Sequence, residues 1–150
     1  MDKLNPMDEI ERLYRDVLLE HYRRPRHFGK LAKPTHSATN ANPLCGDAIR
    51  VDMAIRNGRI EDIAFSGNVC AICKASASLM TEHLLDKTVD DAIEIAEITE
   101  HMIETGSKPD RLDLKPLLFL AEIAQFSARI PCAQLGWQTV RRALSSPEGR

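Results

Sequence analysis

No apolar run in the chain approaches the roughly 20 residues that cross a bilayer as a helix. Met1 to Ile10 is polar and charged, without the apolar segment of a secretory signal. The cytoplasm is therefore the expected compartment. Twenty basic residues against 22 acidic ones leave a formal net charge of −2, with no long block of one sign. Neither a nucleic-acid footprint nor a polybasic membrane patch is expected from that balance. The one basic cluster, Arg23, Arg24 and Arg26 with His27, reads as a solvated helix end. Only four cysteines occur in 150 residues, too few for a dense disulfide framework, so they read as metal ligands or reactive thiols. There is no Gly-rich phosphate loop, nucleophile elbow or kinase signature. The histidines, His21, His27, His36, His83 and His101, lack metal-binding spacing and read as surface or core-edge residues.

With 43% apolar residues, the chain can bury one core, and a single domain over residues 1–150 is expected. Ile10, Leu13, Tyr14, Val17, Leu18 and Tyr22 recur at three- and four-residue steps, the stripe of a helix that Pro25 and Gly29 end. Residues 30–44 carry proline, threonine and asparagine in the manner of a loop or short edge strand. Ile49, Val51, Met53 and Ile55 then alternate with polar or small residues. Asn57-Gly58 supplies a type I′ turn, and Ile63 and Phe65 continue on a returning strand, so residues 49–66 predict a hairpin. Helical spacing returns over 71–86 and 89–104, again from Leu114 to Phe126 behind Pro116, and finally from near Cys132, with Leu135, Val140 and Leu144 inward and Trp137 partly buried. Strands and helices are segregated along the chain, which predicts an α+β fold.

The cysteines, Cys45, Cys70, Cys73 and Cys132, all fall at junctions between elements. Each alone could be a small buried hydrophobe. Together they say more. Cys45 precedes Gly46-Asp47 in a tight turn, while Cys70 and Cys132 stand where helices begin; there the dipole and unsatisfied N–H groups favour thiolate. Asp47 could face the same metal as Cys45 if Gly46 takes a turn conformation, or could simply cap the turn. One carboxylate and three thiolates suit tetrahedral zinc, or a two-iron cluster with one weaker, exchangeable oxygen ligand. Cys70 and Cys73 form a lone C-x-x-C pair, too little for a zinc ribbon, and the neighbouring hairpin is the wrong context for a thioredoxin-like site.

Several motifs in order resemble one family: Leu13-Tyr14-Arg15-Asp16, His21-Tyr22, Pro25-Arg26, Asn42-Pro43 before Cys45-Gly46-Asp47, Phe65 and Gly67, Cys70 ahead of Ala75-Ser76-Ala77-Ser78, and Ala128-Arg129-Ile130 before Cys132. The chain resembles the U-type iron–sulfur assembly proteins, the NifU N-terminal/IscU/SufU family, from about Leu13 to Leu144. Within it the SufU branch is the nearer match, since the step from Cys70 to Cys132 is long and Pro131 stands where IscU-type proteins have histidine. The stretch read by the IscU-type Hsp70 chaperone is absent too.

The resemblance implies a three-stranded antiparallel sheet covered by about five helices, SufE/IscU-like, with a metal site at one end. It implies Cys45, Asp47, Cys70 and Cys132 as ligands of zinc or an iron–sulfur cluster, [2Fe–2S] before [4Fe–4S], and Cys45 as the sulfur-accepting, catalytic thiol. The implied partners are a PLP-dependent cysteine desulfurase of the SufS/IscS kind and a downstream cluster acceptor or Suf scaffold. The chain would be a zinc-dependent sulfurtransferase or a non-enzymatic scaffold; the alternative is a zinc-stabilised interaction module without sulfur chemistry. Cys73 departs from the SufU pattern, where a small residue is usual. A fourth soft ligand, a sulfur relay and a packed bystander are all open to it; the expectation is a thiol beside the site that does not ligate.

Overall fold

The computed structural model describes the backbone of residues 6–44 and 46–145, and the side chains within those bounds from Arg15 onward. The elements are α1 (Pro6–Arg23), β1 (His36–Asn42), β2 (Asp47–Arg56), β3 (Arg59–Asn68), α2 (Ala71–Leu84), α3 (Val89–Thr105), a 3₁₀ run (Leu112–Gln125) with a short 3₁₀ turn (Ser127–Arg129), and α4 (Ile130–Ser145). This is the expected α+β order of one helix, a three-stranded antiparallel sheet and a further helical set. No helix among the described residues is long and apolar enough to cross a membrane.

The sheet order is β1-β2-β3. Asn57 and Gly58 both take positive φ, 54° and 76°, the pair of angles a type I′ turn requires. Register follows from which face is covered. Ala38, Val51 and Phe65 form one row across the inner face, and His36, Met53 and Ile63 the next. α4 packs over β1 and β2, and α2 over β3, so Val51, Met53, Ile63 and Phe65 are fully buried. Gly67 sits opposite Ile49 at φ 133°, where a Cβ would lie 2.1 Å from the Ala48 carbonyl oxygen. Only glycine lets the strands approach this closely.

A strap, residues 24–35, runs from the free edge of β3 across the outer face to β1. Gly29 N–H donates to the Phe65 carbonyl and Phe65 N–H to that of His27. The strap is pinned at its middle by Asp52, almost fully buried, whose carboxylate accepts from Leu31 N–H, Ser37 Oγ and Arg50 Nε.

Three expectations change. Residues 112–125 form a 3₁₀ run rather than the α-helix that helical spacing suggested: Leu114, Leu117, Leu120 and Ile123 are all fully buried, and their strict three-residue step is the 3₁₀ period. Pro116 lies inside this run, where it withholds one N–H from any α-helical ladder. Trp137 is fully buried instead of partly so, because Ser76 Oγ accepts its indole N–H at 3.0 Å and satisfies its one polar atom. Tyr22, expected on the apolar stripe of α1, is 44% exposed, with the Lys74 ammonium 5.5 Å from its ring centre. Ile10, Leu13 and Tyr14 of that stripe have side chains outside the described residues.

Candidate metal centre

Three elements converge at one end of the sheet. β2 starts at Asp47, α2 is capped by Cys70, and Cys132 is the third residue of α4. Their ligand atoms, a carboxylate oxygen and two sulfurs, all lie within 4.8 Å of one another. Ligands of a tetrahedral zinc with sulfur at about 2.3 Å stand about 3.8 Å apart, so modest side-chain rotation closes the set on a metal. Cys45 lies outside the described residues. Gly46 beside it takes φ 76°, and its N–H donates to the Asn42 carbonyl at 2.9 Å, the turn conformation expected of it.

Asp47 does two different things with its two oxygens. Oδ1 accepts from Cys70 N–H at 2.7 Å and so ties β2 to the start of α2. Oδ2 is buried and has no hydrogen-bond partner among the described residues, in a residue only 4% exposed. An unsatisfied buried acceptor costs about 1–3 kcal/mol, and more when charged. A cation between Asp47, Cys70 and Cys132 would remove that cost, and two thiolates beside the carboxylate suit a thiophilic one. Oδ1 thus caps the start of α2, and the carboxylate also stands among the candidate ligands.

Cys70 runs against the expectation of a prepared thiolate. Its sulfur does accept from Cys73 N–H at 3.4 Å at the helix start, which favours the thiolate. Burial outweighs that bond and pushes the thiol's pKa up, and the Asp47 carboxylate adds to the rise. In the chain alone the helix terminus loses to desolvation. Cys73 has its side chain in the core, 1% exposed, and is not among the residues whose ligand atoms come together. What it gives the site is its backbone N–H.

The placement of Cys70 relative to Cys132 depends on residues to which the sequence assigned no role. Ser76 Oγ donates to the Ala133 carbonyl at 2.7 Å while accepting from Trp137. A Cβ on Gly136 would lie 3.3 Å from Ala77 Cβ, so α2 and α4 touch through small residues. Two residues along α2, Ser78 Oγ meets His21 Nδ1 at 2.7 Å and accepts from Arg26 N–H at 2.8 Å. The visible signal was the small-residue run Ala75-Ser76-Ala77-Ser78; alternate serines there serve α4 and α1.

Residues 13–150 match the model of the NifU-like N-terminal domain. The chain belongs to that family. It is 35% identical over 140 residues to the zinc-dependent sulfurtransferase SufU of Bacillus subtilis, covering 93% of this chain and 95% of that one. It is also 35% identical over 138 residues to the iron–sulfur cluster assembly scaffold protein IscU of Streptococcus pyogenes, covering 92% and 86%. A crystal structure of a candidate iron–sulfur cluster assembly scaffold for the SUF system, from Fervidobacterium islandicum, superposes with a TM-score of 0.80 at 26% identity, covering 86% of this chain and 94% of that one. Overall identity to this family does not separate the two descriptions, since the SufU and IscU relatives are equally identical.

Proposed function

We propose that this NifU-like chain is an iron–sulfur cluster assembly protein that receives persulfide sulfur from a PLP-dependent cysteine desulfurase, at a site formed by Cys45, Asp47, Cys70 and Cys132. The observation that carries the reading is the meeting of an Asp47 carboxylate oxygen and the sulfurs of Cys70 and Cys132 within 4.8 Å of one another, beside a buried Asp47 Oδ2 that has no hydrogen-bond partner among the described residues. Membership of a family that includes a named sulfurtransferase and a named scaffold supports the chemistry. Zinc bound there would hold the thiols as thiolates at neutral pH and shield them from oxidation. The iron and sulfide of a cluster are cargo of the same donors.

In the sulfur-accepting step, the Cys45 thiolate attacks the terminal sulfur of the donor's persulfide. A new S–S bond forms, the donor's S–S bond breaks, and the donor cysteine departs as a thiolate, leaving the persulfide on Cys45. Asp47 holds the start of α2 through Cys70 N–H, so the pocket keeps its shape while a ligand leaves. Cys70 is half-buried rather than enclosed, which favours exchange over a purely structural zinc. Pro131 and the long step before Cys132 favour the SufU-like role, with a cluster acceptor or Suf scaffold downstream and the cytoplasm as compartment.

Anaerobic purification followed by metal analysis and an absorption spectrum tests the site. Zinc with a featureless visible spectrum supports the sulfur-accepting role, and iron with near-equal sulfide supports the scaffold role. Incubation with a desulfurase and isotopically labelled cysteine then places the label on Cys45. A metal-loaded chain that acquires neither labelled sulfur nor a cluster overturns the proposal in favour of an interaction module.

A further inference from the structure

On the outer face of the sheet, the strap covers only the half around Asp52. The other half, toward the cysteine end, is an open trough of about 720 Å³. Its floor is the two outward rows Thr39, Arg50, Ser66 and Ala41, Ala48, Asn68, which cross all three strands. Lys30 of the strap and Arg142 of α4 also line it.

The lining holds three cations and no carboxylate, in a chain whose net charge is −2. The nearby acid, Asp52, is buried under the strap with its oxygens taken up by Leu31, Ser37 and Arg50. Arg50 is tied to it through Nε, with a side chain still 41% exposed. Arg142 donates from Nη1 to the Thr39 carbonyl at 2.8 Å and remains exposed. Lys30 is exposed as well. Arg50 is thus paired with Asp52, while Lys30 and Arg142 have no ion-pair partner among the described residues and leave the trough positive.

Shape and position narrow the occupant. A single small anion would leave most of an open trough this size empty, whereas an extended peptide fills it and finds hydrogen-bonding side chains at Thr39, Ser66 and Asn68. Ala48 adjoins Asp47, and Asn68 stands two residues before Cys70, so a chain lying in the trough ends at the metal centre. We infer that the trough docks an extended acidic segment of a protein partner, held by Lys30, Arg50 and Arg142 beside the cysteines. Complementary charge of this kind steers encounter and fixes register more than it adds affinity.

The test titrates the full-length chain, by amide NMR, with a short peptide alternating Glu and Ser, and separately with its Gln/Ser counterpart and with inorganic phosphate. The Glu peptide should shift the amides of residues 39–41, 48–50 and 66–68, and binding should weaken about tenfold in the Lys30→Glu, Arg142→Gln double variant. It should weaken steeply with salt. Arg56→Glu, at the far end of the hairpin, should leave binding unchanged. Equal shifts with the Gln peptide, equal binding of phosphate alone, or equal loss in Arg56→Glu would each overturn the inference. Neither metal nor sulfur transfer enters this measurement, so its failure leaves the proposed function standing, and failure of that function leaves the trough standing.

Discussion

The two ends of α2 treat buried polar groups in opposite ways. At its middle and C-terminal part, Ser78 and Thr81 hydrogen-bond to His21, the Arg26 amide, the Arg26 carbonyl and the His27 ring. At its N-terminal end, Asp47 Oδ2 has no hydrogen-bond partner among the described residues and the Cys70 thiol is pushed away from its charged form. Satisfied groups make a rigid joint, since any movement costs hydrogen bonds. Unsatisfied groups store a preference for something not yet there. One helix thus anchors at one end and receives at the other, and the anchoring keeps the receiving end in register.

The largest effect should come from Trp137→Ala, which empties a fully buried site and breaks the link to Ser76; a loss of about 3–5 kcal/mol is expected in denaturant unfolding. Next, Cys70→Ser and Cys132→Ser should lower metal affinity by more than about a hundredfold in competition with a chelator. Metal content unchanged in both would remove the site assignment. The third pair sets the two ends directly against each other. Ser78→Ala orphans His21 Nδ1 and the Arg26 amide and should cost about 1–3 kcal/mol. Asp47→Asn should cost the metal-free chain almost nothing, since the Oδ1 cap survives and a buried charge is removed, while metal binding weakens. Equal destabilisation by both would erase the contrast.

The smallest effect is one of pH. Burial, and then the nearby Arg26, hold the His21 pKa below its ordinary value, and burial does the same to His83. The unfolded chain therefore takes up these protons first. Stability from the neutral rings is complete above about pH 6.5, declines as pH falls from there, and levels off below the folded pKa values. His21→Gln should flatten the acid side of the stability–pH curve. An unchanged slope would show that the joint does not discriminate against the proton.

Much of this was legible in the chain. The alternation from Ile49 to Ile55 and the Asn57-Gly58 turn specify a hairpin because a period of two and two positive φ angles are local demands. The position of Cys70 and Cys132 at helix starts likewise led to the place where their sulfurs and an Asp47 oxygen come together. What could not be read is what depends on distant partners. The pKa of Cys70 turns on how deeply other elements bury it, and the burial of Trp137 turns on a serine in another helix. Even the three-residue step of Leu114, Leu117 and Leu120 is compatible with an α-helix until packing shows that Ile123 continues it.

The strap has a further consequence for the order in which the molecule is made. Residues 24–35 leave the ribosome before the strands that hold them, since Gly29, Leu31 and Thr35 bond to Phe65, Asp52 and Met53. The hairpin closes locally once its turn has been synthesised, and only then does the earlier segment have a surface to lie on. α1 waits longer, for Ser78 of α2, which meets His21. Synthesis and docking therefore run in opposite directions across this stretch: residues 24–35 are made before the strands that hold them.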